Sequence, residues 1–275
     1  MMSTDPFDTK AAERVMREAY GIEGKAIQLA GEYDLNFAIQ AGDQRWLLKI
    51  ARIEAARDEL EFQNKALEHV SARLDGEPLP VQRVLPDRTG QMIVELAAVS
   101  GVRLARVLSY LEGRMLASVT PHFPELLESL GAAVAQVDRA LEGFSHRLAE
   151  REFKWNLTQS DGMLPKLENI GNPGRRAIAA GHLENFVTVL KPRLAALPRG
   201  VIHGDANDHN IVVTGSGCEA RVSGLIDFGD AMDSPLVCGL AIALAYAMLG
   251  KPDPVASAAH VVRGYRILRE DAAHA

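Results

Sequence analysis

Cysteine is scarce in this sequence, and its scarcity excludes a fold held together by disulfides or by zinc. The two cysteines among 275 residues, Cys218 and Cys238, match no metal-ligand spacing and are expected to be reduced thiols. Basic residues are not in excess either. Because 30 lysines and arginines face 36 acidic residues, the net charge is −6, which argues against a nucleic-acid partner.

Long apolar runs are also lacking. The longest, Leu236 to Leu249, has 14 residues, whereas a membrane-spanning helix needs about 20. We therefore expect a buried helix there and no membrane partner. The first residues, MMSTDPFDTKAAERV, lack the apolar core of a signal peptide, so the sequence predicts a cytoplasmic location.

The distribution of predicted elements divides the chain near Glu112–Gly113. The alternating patterns before this point predict an antiparallel sheet with one inserted helix, whereas helical periodicity dominates after it. We expect an α+β fold with a small antiparallel-sheet lobe over residues 1–112, a larger and mostly helical lobe over 113–275, and a ligand cleft between them. The predicted helices are 10–20, 54–73, 124–141, 183–194, 236–249 and 254–270, and the predicted strands include 25–30, 33–40, 45–51, 201–202, 211–214 and 221–226.

Polar side chains cluster around two short strands of the second half. The stretch HGDANDHN carries Asp205 and Asn210, and LIDFGD follows with Asp227. Hard divalent cations such as Mg²⁺ prefer oxygen ligands, which Asn210 and Asp227 can supply. Asp205 is then left to orient a hydroxyl group and accept its proton. This division of roles is the one that phosphoryl transfer requires.

These segments resemble the catalytic and metal-binding segments of the aminoglycoside phosphotransferase and choline kinase family. The stretches GEYDLNFAI, LLKIA, EFQNKALEHV, EFKWNL and IDFGDAMDSPLVCGLAIALAYAML resemble its hydroxylysine kinase-like branch, and the likeness runs from about residue 20 to about 270. It implies a two-lobe, protein-kinase-like fold. It also implies a Mg²⁺-dependent kinase that transfers the γ-phosphate of ATP or GTP to a small hydroxylated amine or amino acid.

The resemblance assigns roles to the residues of the second half. Asp205 is the catalytic base, and His203 supports the loop rather than reacting. Asn210 and Asp227 hold Mg²⁺. Trp155 is either a wall for the acceptor's cation or part of the core.

In the first half, the resemblance places Lys49 at the phosphate-binding position, and it implies a glutamate partner on the following helix. Glu59 is the first choice and Glu61 the second, while Gln63 stays an alternative. Two further sets of nucleotide contacts are expected. Asn36, with Asp34, either contacts the phosphates from the hairpin loop or forms the turn. Tyr110 to Glu112 contact the base through their backbone.

A hydroxylysine-like acceptor is favoured over an aminoglycoside or homoserine-type acceptor. A non-catalytic nucleotide-binding module is the alternative from another class. The resemblance also implies fusion to, or partnership with, a pyridoxal-phosphate-dependent lyase domain.

Overall fold

The computed structural model describes residues 7–77, 79–99 and 101–271, and it describes the side chains only up to residue 268. By its internal contacts the chain forms two compact units. The first runs to Gly76 and resumes over Pro80–Glu112, and the second comprises Glu77–Leu79 and the residues from Gly113 onwards.

The first unit is an antiparallel sheet with two helices. Helix α1 is followed directly by a π-helical turn, Met16–Tyr20. The strand order is β1-β2-β3-β6-β4, and β5 also pairs with β6. The bounds are α1 Thr9–Val15, β1 Lys25–Leu29, β2 Leu35–Ala41, β3 Gln44–Ile50, α2 Arg57–Arg73, β4 Val84–Leu85, β5 Val94–Ala98 and β6 Gly101–Ser109.

Local sequence signals explain the ends of the first helical segment. The Asp8 carboxylate accepts a hydrogen bond of 2.8 Å from the backbone N–H of Ala11, which satisfies one free donor of the first turn. Gly21 ends the segment with φ 69°, a conformation that glycine adopts without steric cost. Met16 is fully buried and packs with Phe37 and other apolar residues of the sheet.

The strand register gathers polar side chains on one face of the sheet. Asn36 on β2 lies opposite Lys49 on β3, and Lys49 lies opposite Arg106 on β6. Because opposed residues of antiparallel strands point to the same face, these three side chains form a row across three strands. Leu48 and Ile50, which alternate with Lys49, belong to the apolar core.

The second unit is mainly helical and contains two small sheets. Strands β10, β9 and β7 form one sheet, and β11 pairs with β8 in the other. A long 3₁₀ segment, Leu157–Asn169, precedes α4, and a π-helical turn, Phe186–Leu190, joins α4 to α5. The bounds are β7 Arg114–Met115, α3 Pro124–Ala140, α4 Pro173–Asn185, α5 Lys191–Leu194, β8 Arg199–Ile202, β9 Ile211–Thr214, β10 Arg221–Leu225, β11 Met232–Pro235, α6 Val237–Met248 and α7 Pro254–Asp271.

Close packing of α3 supports the sheets of this unit. At Gly131 a Cβ atom would lie 1.9 Å from the carbonyl oxygen of Val261 on α7, so only glycine permits this approach. On another side of α3, the Ser129 hydroxyl accepts a hydrogen bond from the N–H of Val222 on β10. The helix therefore fixes the sheet from which the candidate site projects. Among the described residues, no helix is both long and apolar enough to cross a membrane.

Candidate active site

The loop between β8 and β9 is organised around the buried side chain of His203. Its Nε2 lies 3.0 Å from the carbonyl oxygen of Ile226, and its Nδ1 lies 3.2 Å from the backbone nitrogen of Asp205. These partners define a neutral ring in which Nε2–H donates and Nδ1 accepts. The ring also packs edge-on against buried Phe228, with centroids 4.6 Å apart.

The protonation state of His203 agrees with this hydrogen bonding. Burial lowers the pKa of His203 from its ordinary 6.5 to about 4, although the Asp227 carboxylate and the Ile226 carbonyl act in the opposite direction. The ring is therefore neutral near pH 7. Its two nitrogens are both used to join the loop to the strand end at Ile226, which is the geometry of a structural support.

The Asp205 carboxylate is held by two side-chain amides. Asn207 Nδ2 donates to Asp205 Oδ1 at 2.8 Å, and Asn210 Nδ2 donates to Asp205 Oδ2 at 2.7 Å. The Asn207 amide oxygen in turn accepts from the N–H of His209 at 2.8 Å. Both carboxylate oxygens are thus oriented by side-chain amide donors. The sequence reasoning missed Asn207, although a bond to an N–H two residues on is an Asx-turn pattern that could have indicated it.

Asp227 lies beside this loop in a conformation that is rare for a non-glycine residue. Its φ is 65°, and its Oδ1 accepts a hydrogen bond of 3.1 Å from the N–H of Gly229. The neighbouring N–H of Ile226 donates to the carbonyl of Asn210 at 3.0 Å, which brings the two segments together. Because Asn210 uses its amide N–H for Asp205, its Oδ1 is the atom suited to a cation. The donor set of one amide and one carboxylate oxygen fits Mg²⁺.

Arg151 fixes the segment that follows Asp227. Its guanidinium donates to the carbonyls of Ala231 at 2.8 Å and Gly229 at 3.2 Å, and also to Leu148 at 2.7 Å. Three backbone acceptors on two segments therefore converge on one planar side chain. The sequence reasoning also missed this residue, because contacts to backbone carbonyls leave no residue-type pattern.

In the first unit, Lys49 is buried and lines a small cavity together with Asp34, Glu59 and Gln63. The Lys49 ammonium lies 3.9 Å from Asp34 Oδ2, and Asp34 Oδ1 accepts from the N–H of Arg52 at 3.1 Å. Glu59, the expected partner of Lys49, forms a 2.8 Å ion pair with Arg52 in this structure.

Gln63, the alternative partner of Lys49, instead accepts a hydrogen bond from buried Arg106. Arg106 also donates to Asn64 Oδ1 at 2.6 Å. The side-chain amides of Gln63 and Asn64 on α2 therefore accept hydrogen bonds from Arg106, which the strand register places beside Lys49. The choice among Glu59, Glu61 and Gln63 as the partner of Lys49 stays a prediction.

The remaining predicted nucleotide contacts have clear positions. The Asn36 amide donates to the carbonyl of Ala30 at 3.3 Å, while its buried Oδ1 has no hydrogen-bond partner among the described residues. In the linker after β6, Arg45 lies over the ring of Tyr110, 5.1 Å from its centroid, and pairs with Glu112 at 3.0 Å. The sequence did not indicate that one arginine would hold both linker residues.

Trp155 is 59% exposed, and the Lys154 ammonium lies 4.9 Å from its ring centroid. The alternative that placed Trp155 in the core is wrong, because its ring is turned to solvent where a cation reaches its face. A role as a wall for the acceptor stays a prediction.

Comparison with known proteins identifies the class. The family described as the phosphotransferase enzyme family, APH, matches residues 25–274. The hydroxylysine kinase of Mus musculus is 30% identical over 96% of this chain and 75% of its own length. The chain therefore belongs to the APH phosphotransferase family, and it is a phosphotransferase with an alcohol group as acceptor.

Solved structures give the same fold. The microcompartment-associated aminopropanol kinase matches with a TM-score of 0.73 at 17% identity, over 95% of this chain and 81% of that one. The amicoumacin kinase hAmiN, solved in complex with AMP-PNP, Ca²⁺ and Ami, matches with a TM-score of 0.68 at 15% identity, over 95% of this chain and 78% of that one. The expected α+β, protein-kinase-like fold is confirmed.

Proposed function

We propose that this chain is a small-molecule kinase that transfers the γ-phosphate of ATP or GTP to the hydroxyl of an amino alcohol or hydroxy amino acid. A hydroxylysine-like acceptor is favoured because the mouse relative bears the name hydroxylysine kinase. The observation that carries the proposal is the Asp205 carboxylate, which the amides of Asn207 and Asn210 orient. The loop that holds it is joined to the segment of Asp227 by the hydrogen bond from the Ile226 N–H to the Asn210 carbonyl.

In this proposal Asp205 acts on the acceptor. Its carboxylate orients the acceptor hydroxyl and accepts its proton as the oxygen attacks the γ-phosphorus. The amides of Asn207 and Asn210 hold the carboxylate in place before the acceptor binds. His203 is neutral and has both nitrogens occupied, so it takes no part in the proton transfer.

Asn210 Oδ1 and the Asp227 carboxylate are the proposed ligands of Mg²⁺, which when bound neutralises charge on the phosphate oxygens. Arg151 keeps the segment after Asp227 in place through the carbonyls of Gly229 and Ala231.

Lys49 is the proposed phosphate-binding cation of the first unit. Asn36 faces the same side of the sheet as Lys49, and Glu59 lines the Lys49 cavity. The backbone of Tyr110 and Glu112 is proposed to contact the base. Partnership with a pyridoxal-phosphate-dependent lyase domain stays a prediction from resemblance.

The experiment is a nucleoside-diphosphate release assay that crosses ATP and GTP with 5-hydroxylysine, ethanolamine, choline, homoserine and kanamycin. We expect turnover with one nucleotide and an amine-bearing acceptor. The variant Asp205→Ala should lower kcat by about 10²- to 10⁴-fold, the usual contribution of a general base, while the nucleotide Kd changes less than about twofold. Asp43→Ala, in the exposed turn between β2 and β3, is the matched control.

The results of this assay distinguish the candidate functions. Turnover of Asp205→Ala at the wild-type rate would remove Asp205 as the base. Selective turnover of homoserine or kanamycin would indicate a homoserine-type or aminoglycoside kinase. Nucleotide binding without turnover of any acceptor would support the non-catalytic module.

A further inference from the structure

Asp227 has a backbone conformation that its neighbours must enforce. Among the described residues it is the only non-glycine residue with a positive φ, and its φ and ψ are 65° and 81°. Such a conformation raises the backbone energy of any residue with a side chain, so it persists only where the surrounding structure fixes it. Because Asp227 is a proposed ligand of Mg²⁺, the groups that fix its backbone also set where its carboxylate points.

The hydrogen bonds inside the turn after Asp227 are long. The N–H of Gly229 donates to Asp227 Oδ1 at 3.1 Å, and the N–H of Ala231 donates to the Phe228 carbonyl at 3.3 Å. The most common N···O distance in proteins is about 2.9 Å. These two bonds alone are therefore a weak constraint on a strained backbone, and a further constraint has to come from outside the turn.

Arg151 supplies that constraint. Its guanidinium donates to the carbonyls of Gly229 and Ala231 at 3.2 and 2.8 Å, so it holds the turn at two points. The guanidinium is itself fixed on its own segment, because it also donates to the Leu148 carbonyl at 2.7 Å and lies 4.6 Å from the centroid of the Phe153 ring. A planar fork of donors suits such a set of acceptors, whereas a single ammonium does not.

The carbonyl between these two acceptors packs against the loop of the proposed base. A Cβ atom at Gly204 would lie 2.1 Å from the carbonyl oxygen of Asp230, so the two segments are in close contact there. Gly204 directly precedes Asp205 in the sequence. Arg151 therefore holds the segment of Asp227 on both sides of the point where it contacts the loop of Asp205.

We propose that Arg151 is a positioning residue for the divalent cation. Its donors hold the backbone of Asp227 in the left-handed conformation and thereby set the affinity of Asn210 and Asp227 for Mg²⁺. Residues that orient metal ligands typically change the metal affinity by about 10- to 100-fold when they are replaced. This inference rests on the proposed function, because it requires Asn210 and Asp227 to be the ligands of the cation.

The test measures cation binding directly. Mn²⁺, which favours the same oxygen ligands as Mg²⁺, is titrated into the protein with ADP and followed by electron paramagnetic resonance. Because ADP in solution binds Mn²⁺ equally in every sample, differences between variants report the protein. Arg151→Met, which removes the donors, should weaken Mn²⁺ binding by about 10- to 100-fold. Exposed Arg139→Met loses the same charge and is the control, with an expected change of less than about twofold.

A second variant separates the fork of donors from the charge. Arg151→Lys keeps the positive charge but cannot hold both carbonyls with one planar group, so it should recover only part of the lost Mn²⁺ affinity. A wild-type Mn²⁺ affinity in Arg151→Lys would overturn the assignment. This variant alone decides the question if Arg151→Met does not fold.

Two further measurements distinguish a cation effect from general damage. The Kd of ADP in EDTA should change by less than about twofold in both Arg151 variants, and a high Mg²⁺ concentration should restore most of their kcat. Equal losses of ADP and Mn²⁺ affinity, or an unchanged Mn²⁺ affinity in Arg151→Met, would refute the role of Arg151. A wild type that binds Mn²⁺ with ADP but phosphorylates no acceptor would refute the proposed kinase activity and leave the role of Arg151 intact.

Discussion

Asn207→Asp tests whether the amide contact to Asp205 is essential to the reaction. The change is isosteric, and the new carboxylate can still accept the hydrogen bond that the N–H of His209 gives to Asn207. It removes the donor 2.8 Å from Asp205 Oδ1 and places a second negative charge there. The variant therefore changes the electrostatics of the base while it conserves the shape of the loop.

Two effects set the size of the expected fall in kcat and of the expected shift in the pH–rate profile. Loss of a charge-assisted hydrogen bond lowers kcat by about 10- to 100-fold at the pH optimum. Two unit charges about 4 Å apart repel by roughly 4 kcal/mol at an effective dielectric constant of 20. This repulsion corresponds to about three pKa units. The acidic limb of the pH–rate profile should therefore move to higher pH, by as much as about three pH units if the loop does not relax.

The assay is steady-state kinetics between pH 5 and pH 9 with the best acceptor found for the wild type. Asn185→Asp, an exposed position at the end of α4, adds the same charge away from the loop and is the control. If Asn207→Asp retained both the wild-type kcat and the wild-type acidic limb, the amide contact would be irrelevant to the base.

Two further predictions concern stability. Because burial lowers the pKa of His203 to about 4 in the folded state, the unfolded state binds the proton first, and stability is lost as pH falls from about 6.5 to 4. At pH 5 the loss is about 2 kcal/mol by this linkage, so His203→Gln should show a correspondingly smaller drop between pH 7 and pH 5 in urea unfolding with EDTA present. If the wild type and His203→Gln lost the same unfolding free energy between pH 7 and pH 5, the contribution of His203 would be excluded. Arg106→Leu leaves the amides of Gln63 and Asn64 without a donor and should cost about 3 kcal/mol in urea unfolding at pH 7, whereas Arg57→Leu at an exposed ion pair should cost less than about 1 kcal/mol. Similar losses in the two arginine variants would mean that the buried contacts add little.

Much of the fold follows from local signals that the sequence displays. The end of the first helical segment at Gly21 and the alternation around Lys49 were predictable because each depends on residues next to one another. The loop from His203 to Asn210 was predictable for the same reason: its polar groups occur at fixed short spacing and bond within the loop.

Side-chain contacts between distant segments were not predictable in this way. Arg106 meets Gln63 only because β6 pairs with β3 in one register and α2 presents that face to the sheet. The sequence separation is 43 residues. No local pattern selects Arg106 over Lys49 as the donor to Gln63. Arg151 is a similar case, because its acceptors are backbone carbonyls that every residue offers.

The choice of neutral amides for Arg106 has an electrostatic consequence for the cavity that it shares with Lys49. The cavity is lined by three cationic side chains, Lys49, Arg52 and Arg106, against two carboxylates, Asp34 and Glu59. If residue 63 on α2 were a glutamate, a third negative charge would balance the three positive charges of the lining residues. Gln63 and Asn64 accept hydrogen bonds from the arginine and add no negative charge, so the formal charges of the lining residues sum to +1. An excess of this sign raises the local concentration of polyphosphate anions, and we infer that the amide support of Arg106 serves the nucleotide-binding role proposed for Lys49.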